Sequence, residues 1–218
     1  MGLGGILQEL KTEGVLALYH DYRSGRLVDY SGNGNNGAAS VGCAWTNKGV
    51  KIKANTDEIT VLNSVSLQVT NMSIIILGDF TSNGDEYIFN KRSGGLTHFQ
   101  FYIYTSGLVF YDGANARTLA TSISGKRCIS LSCVSGGTAI GYLNGASIGS
   151  FSGASTIVAK IPNIEVGNWA DIERCRSRID AAILISRSLT NTEHSRIYAQ
   201  LENMTWNTKG LTPGPMMP

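Results

Sequence analysis

Charge is scarce in this sequence. Asp, Glu, Lys and Arg make up 16% of the 218 residues, and the net charge is +2. That balance supplies no global drive toward nucleic acid. Proline is scarcer still. Three of the four prolines fall in the last eight residues, Leu211-Thr-Pro-Gly-Pro-Met-Met-Pro218, a stretch that cannot be regular structure. No apolar run approaches the roughly 18 residues of a membrane span. The first residues, Met1-Gly-Leu-Gly-Gly-Ile-Leu7, lack a basic region and a long apolar run, so no secretory leader is expected. The four cysteines, Cys43, Cys128, Cys133 and Cys175, match no zinc spacing. Cys128 and Cys133 point to opposite faces of one expected strand, and all four are expected as reduced thiols.

Catalytic signatures are missing as well. Glycoside hydrolysis needs two carboxylates facing each other across a cleft. Asp57-Glu58 and Asp85-Glu86 are adjacent pairs, whose side chains diverge on a strand. His20, His98 and His194 show no metal spacing, and no Ser-His-Asp or Cys-His constellation can be argued. The sequence is therefore read as non-enzymatic.

What is abundant is turn-forming residue. Glycine alone accounts for 26 positions, which suits short strands joined by tight turns. The densest such run is Asp29-Tyr-Ser-Gly-Asn-Gly-Asn-Asn-Gly37. Asn and Gly tolerate positive φ, and Asp and Asn side chains bond nearby backbone. The run contains G-x-G-x-x-G, but an alternating segment, Ala38 to Trp45, follows where a nucleotide-binding loop requires a helix. Two readings stay open: a corner, or a corner around an ion.

Along the chain, Val15 to Tyr19 reads as the first strand. Asn71 to Phe80 is a continuous apolar run that fits a central strand. From His98 to Tyr104, Phe99, Phe101 and Ile103 share one face while Gln100, Tyr102 and Tyr104 share the other. Asn144-Gly145 is a strong type I′ turn signal. Thr190, with Glu193 three residues on, is a capping box. It opens a helix with His194, Ile197, Tyr198 and Leu201 on one face, where His194 reads as packing. Residues 1–13 are expected to form an arm whose Ile6, Leu7 and Leu10 rest on this domain or on a neighbour. Residues 14–206 form one domain, and 207–218 a tail held by a partner.

Four stretches in order resemble the laminin-G type of concanavalin A-like jelly roll. They are the Asp29–Gly37 run, Ala139-Ile-Gly-Tyr-Leu-Asn-Gly145, Ile164-Glu-Val-Gly167 and Ile179-Asp-Ala-Ala-Ile-Leu-Ile-Ser-Arg-Ser-Leu-Thr-Asn-Thr-Glu193. The chain departs from the pattern at Arg178, Cys128 and Ser186, where the family has Gly, Trp and Tyr. The resemblance implies an all-β antiparallel sandwich with one short C-terminal helix. It also implies that the opening loop meets the closing strand, with Asp29, Asn33 and Asp180 as candidate ligands of a structural calcium.

Two further surfaces are candidates. Gln100, Tyr102 and Tyr104 would form a glycan platform if they face the concave sheet. Arg174, Arg176 and Arg178 would share a strand face and hold an acidic partner. The resemblance also implies a virion protein, as phage capsid decoration or tail component, contacting other virion proteins and further copies of itself. A lectin-like, receptor-binding module for a cell-surface glycan is the alternative.

Overall fold

Two stretches, Met72–Leu77 and Ala181–Ile185, are buried at every position. A strand half-covered by a sandwich would alternate; one covered on both faces would not. The computed structural model shows the second arrangement. It describes residues 4–54, 56–81, 86–93, 96–105, 107–120, 123–155, 162–169 and 173–204.

The chain begins with helix α1 (Gly5–Thr12) and strand β1 (Leu16–Asp21). Short strands follow: β2 (Gly37–Ala39), β3 (Cys43–Thr46), β4 (Gly49–Ile52) and β5 (Ile59–Val61). The longer ones are β6 (Met72–Phe80), β7 (Glu86–Ser93), β8 (Leu96–Tyr104), β9 (Gly107–Tyr111), β10 (Ala116–Ala120), β11 (Gly125–Cys133), β12 (Thr138–Leu143) and β13 (Ala146–Ser152). The chain closes with β14 (Ile164–Val166), β15 (Asn168–Trp169), β16 (Glu173–Arg174), β17 (Arg178–Ile185) and helix α2 (Asn191–Asn203).

Two antiparallel sheets form a sandwich. One runs β13-β12-β11-β6-β17-β4-β3, with β1 also paired to β17; the other runs β10-β9-β8-β7-β14-β5-β2. The main core lies between them. Met72, Ile74 and Ile76 of β6 point into it, with Phe99, Phe101 and Ile103 of β8 opposite. The outer face of the eight-stranded sheet carries a second core. There Ile75 and Leu77 of β6 and Ala181, Ile183 and Ile185 of β17 meet Leu7 and Leu10 of α1 and Ile197 and Leu201 of α2. The fold is thus three layers deep over its central strands. A β-bulge between Ile179 and Ala181 shifts the alternation of β17. Ile179 faces the main core before it, and Ala182 and Leu184 after it. The bulge re-aims the residue it contains, Asp180.

Local signals match their elements. The Thr190 hydroxyl accepts from the Glu193 backbone N–H, and the Glu193 carboxylate accepts from the Thr190 N–H, so the capping box closes both ways. Asn144 (φ 51°) and Gly145 (φ 79°) make the turn from β12 to β13, and both angles are those a type I′ turn requires. A side chain at Gly145 would sit 2.7 Å from the Ser195 backbone, because this turn packs on α2.

Residues 5–12 are not a free arm. Ile6, Leu7 and Leu10 are buried on their own domain. The Leu7 N–H donates to Gln200 Oε1 at 3.2 Å, Gln200 Nε2 donates to the Gly4 carbonyl at 2.7 Å, and Arg196 pairs with Glu9 at 2.5 Å. The expected tail lies outside the described residues. Leu10→Ala should lower the stability of the whole domain by about 2–5 kcal/mol in urea unfolding, as for other buried leucines. An arm docked elsewhere would give no change.

Candidate functional site

The Asp29–Gly37 loop is built around one carboxylate. Asp29 forms an isolated bridge with His20 and is buried. Its Oδ1 accepts from the backbone N–H of Tyr19 (3.0 Å) and Ser31 (2.9 Å). Its Oδ2 accepts from the Ser31 hydroxyl (2.7 Å) and the Asn35 N–H (3.0 Å). Four donors fill the roughly four acceptor sites of a carboxylate. Asn33 Nδ2 donates to the carbonyls of Leu16 (2.8 Å) and Ala17 (3.1 Å). Asn35 Nδ2 donates to the Ala17 carbonyl and the Ser66 hydroxyl, tying in the segment after β5. Gly32 (φ 94°) and Gly34 (φ 76°) supply the left-handed backbone.

The expected clasp between Asp29 and Asp180 does not form. Asp29 meets β1 on the edge opposite β17, where Asp180 lies. Asp180 instead accepts from Arg178 Nε at 2.6 Å, and Arg178 also reaches Asp79 at 3.2 Å. Burial pushes the Asp180 carboxyl above its ordinary value, and the Arg178 guanidinium opposes that shift. These residues do not fit a calcium ion. Asp29 faces donors, Asn33 turns its amide N–H to carbonyls, and Asp180 faces a cation; Ca²⁺ requires six to eight oxygens at one point. Among the described residues, no group of three or more His, Cys, Asp or Glu is placed to hold a metal.

The arginine stripe is also corrected. Arg178 is engaged within the fold by Asp79 and Asp180. Arg176 is exposed, and the Arg174 side chain lies outside the described residues. The carboxylates in the adjacent acidic pairs hold the fold together. Asp57 accepts from Ser40 Oγ (3.0 Å), the Gly42 N–H (3.2 Å) and the Ala54 N–H (2.8 Å). Glu86 is fully buried and accepts from the hydroxyls of Thr81 and Ser177 and from the Ser177 N–H. Asp85 is outside the described residues.

The outer face of the seven-stranded sheet is where Gln100, Tyr102 and Tyr104 point, since Phe99, Phe101 and Ile103 face the core. Directly paired residues share a face. Register therefore sets Ala38, Thr60, Glu165, Asn90, Gln100, Tyr111 and Ala116 in one outward row across all seven strands. Beside it, Tyr102 stacks on Tyr87 with ring centroids 4.8 Å apart and planes 12° apart. That stack corrects the platform: Tyr102 is only 9% exposed and has a ring face covered. Tyr104, at the tip of the hairpin, is 52% exposed. Gln100 is 6% exposed, and its Nε2 has no hydrogen-bond partner. The sequence pointed to the β8 residues through alternation. It missed Tyr87, Asn90 and Tyr111, because which strands flank β8, and in what register, is not written in β8 itself.

No family model and no curated protein matches the chain. Solved structures do. The Trypanosoma rangeli sialidase superposes with a TM-score of 0.68 at 12% identity, over 87% of this chain. This chain spans only 33% of that protein. The binding domain of botulinum neurotoxin serotype D gives 0.68 at 15% identity, over 90% of this chain and 53% of that one. Domain 4 of AbnA, a GH43 extracellular arabinanase from Geobacillus stearothermophilus solved with arabinotriose, gives 0.67 at 15% identity, over 83% and 97%. These similarities establish the β-sandwich fold.

Asp29→Asn places an N–H₂ among four donors. It should destabilise the domain by about 1.5–3 kcal/mol, the range for hydrogen bonds to charged groups. Thermal unfolding in millimolar Ca²⁺ and in chelator should show the same loss, because the carboxylate serves the corner. A loss seen only in Ca²⁺ would restore the ion.

Proposed function

We propose that the chain is a non-catalytic binding module that takes a glycan on the outer face of its seven-stranded sheet. The observation that carries this reading is Gln100 Nε2, a buried donor without an acceptor in the middle of that face. An unmade buried hydrogen bond costs about 1–3 kcal/mol, and a sugar hydroxyl or ring oxygen would recover it. Tyr104 offers an exposed aromatic ring along the same strand face, and sugars stack on such rings. Tyr111 flanks Gln100 in register, adding a phenol group, while Asn90 on its other side is fully buried. The likeness to an arabinanase domain solved with a bound arabinotriose and to neurotoxin binding domains supports this reading at the level of fold.

A glycan array should return at least one oligosaccharide ligand. Gln100→Leu and Tyr104→Ala should each weaken it about tenfold or more, the equivalent of one lost hydrogen bond or stacking contact. An array without binders, or variants that bind equally well, rejects the site.

Assembly within a virus particle, as capsid decoration or tail component, is the second reading. It draws on the loop after β5, which holds Leu62 (71%) and Val65 (86%) out to solvent. Neighbouring exposed apolar side chains favour a protein contact. Size-exclusion chromatography of the full chain should then show a concentration-dependent oligomer that Leu62→Ser with Val65→Ser dissolves. A monomer at all concentrations counts against self-association.

A further inference from the structure

His194 sits where the helical layer meets the eight-stranded sheet, and it is 2% exposed. Its Nδ1 meets the Ser130 hydroxyl at 2.9 Å and its Nε2 meets the Ser132 hydroxyl at 2.8 Å. Its ring lies on Tyr142, centroids 3.7 Å apart. Ser132 Oγ also donates to the Leu189 carbonyl (3.1 Å), and Ser73 Oγ donates to the Arg187 carbonyl (2.9 Å). The Leu189 N–H donates to both hydroxyls. One cluster therefore ties the start of α2 to β6 and β11. In the arrangement with the Ser132 proton on the Leu189 carbonyl, a neutral ring donates from Nε2 to Ser132 and accepts at Nδ1 from Ser130. The neutral imidazole satisfies both bonds.

We propose that His194 is an acid-sensitive latch, and that its protonation releases the two-helix layer and uncovers the apolar outer face of the eight-stranded sheet. An imidazolium carries two donors, so Ser130 loses its acceptor. Among the described residues, no group nearby is free to neutralise the charge. From β6 comes Ser73; from β11, Ser130 and Ser132 with the buried thiol of Cys128; from β12, the Tyr142 ring. From α2 comes Glu193, held by Arg187 at 2.6 Å and by the capping box. Arg187 in turn binds Glu13 beyond α1, while Glu9 of α1 is on Arg196. Burial holds the His194 imidazole down to about 3, against about 6.5 when the layer is open. A group depressed in this way stabilises the closed state fully above pH 6.5, and that contribution is lost as pH falls below it. The uncovered face would be Ile75, Leu77, Ala181, Ile183 and Ile185.

Hydrogen–deuterium exchange of the intact chain, corrected for intrinsic rates, tests this. Between pH 7.5 and 5, the opening constant of the α2 amides should rise about thirtyfold from one such titration, and 8-anilinonaphthalene-sulfonate should begin to fluoresce. His194→Gln, which keeps one donor and one acceptor, should abolish both pH responses. A rise that persists unchanged in His194→Gln overturns the proposal and points to another group, such as buried His20. So does a flat wild-type profile. Should His194→Gln fail to fold, NMR titration of the wild-type imidazole decides: protonation near pH 6.5 with α2 still protected also overturns it.

Discussion

Strands β6 and β17 are paired along most of their length, and both are apolar on both faces. That constraint organises everything else. A sandwich alone covers one face of a sheet and would leave Ile75, Leu77, Ile183 and Ile185 in water. At about 25 cal/mol per Å² of apolar surface, covering that face supplies a large share of the stability of a marginally stable domain. A third layer, formed by α1 and α2, covers it. Residues 5–12 and 191–203 are consequently part of the core structure. Arg23 reinforces this closure: it grips Asp21 with two nitrogens and donates a third bond to the Leu201 carbonyl at the end of α2 (2.8 Å).

The polar exceptions on the buried faces follow the same logic. Ser130 and Ser132 alternate with Ile129 and Leu131, so the hydroxyls turn toward the helices and the aliphatic groups toward the main core. Buried hydroxyls need partners, and His194 serves both. Asp180, re-aimed by its bulge, is matched by Arg178. Among the described residues, no buried side-chain polar atom on this side of the molecule lacks a partner within the fold. On the opposite side, Gln100 Nε2 does not. This contrast, more than any aromatic count, is what the proposed ligand surface on the seven-stranded face rests on.

The fold was legible because its signals are local. Alternation in β8, the Asn144-Gly145 turn, the Thr190–Glu193 capping box and the unbroken apolar run of β6 each need only a few consecutive residues. The third layer was half visible. Ile6, Leu7 and Leu10 announced an apolar helical face, but nothing local says what it covers. The candidate sites were less legible because they depend on register and on competition between partners. Asp29 and Asn33 carry oxygen atoms that suit calcium in principle. Whether those atoms face an ion or four N–H and O–H donors depends on how the loop meets β1, a contact between segments about ten residues apart. Arg178 looked available beside Arg174 and Arg176, yet Asp79, far away in sequence, engages it.

The Asp29 corner and the His194 cluster answer the same physical problem with different consequences. Both satisfy buried polar groups at the seams of the sandwich. Asp29 does it with a carboxylate that accepts from four surrounding donors. His194 does it with a neutral ring that must both give and receive a proton, and one added proton spoils the arrangement. The corner is thus a fixed joint, whereas the seam under the helices is conditional. The face that carries Gln100 and Tyr104 belongs to the other sheet, across the main core from that seam. Loosening the helical layer therefore leaves the proposed ligand surface supported by Phe99, Phe101 and Ile103. The three-layer design separates the proposed binding face from the face proposed to open with acidity.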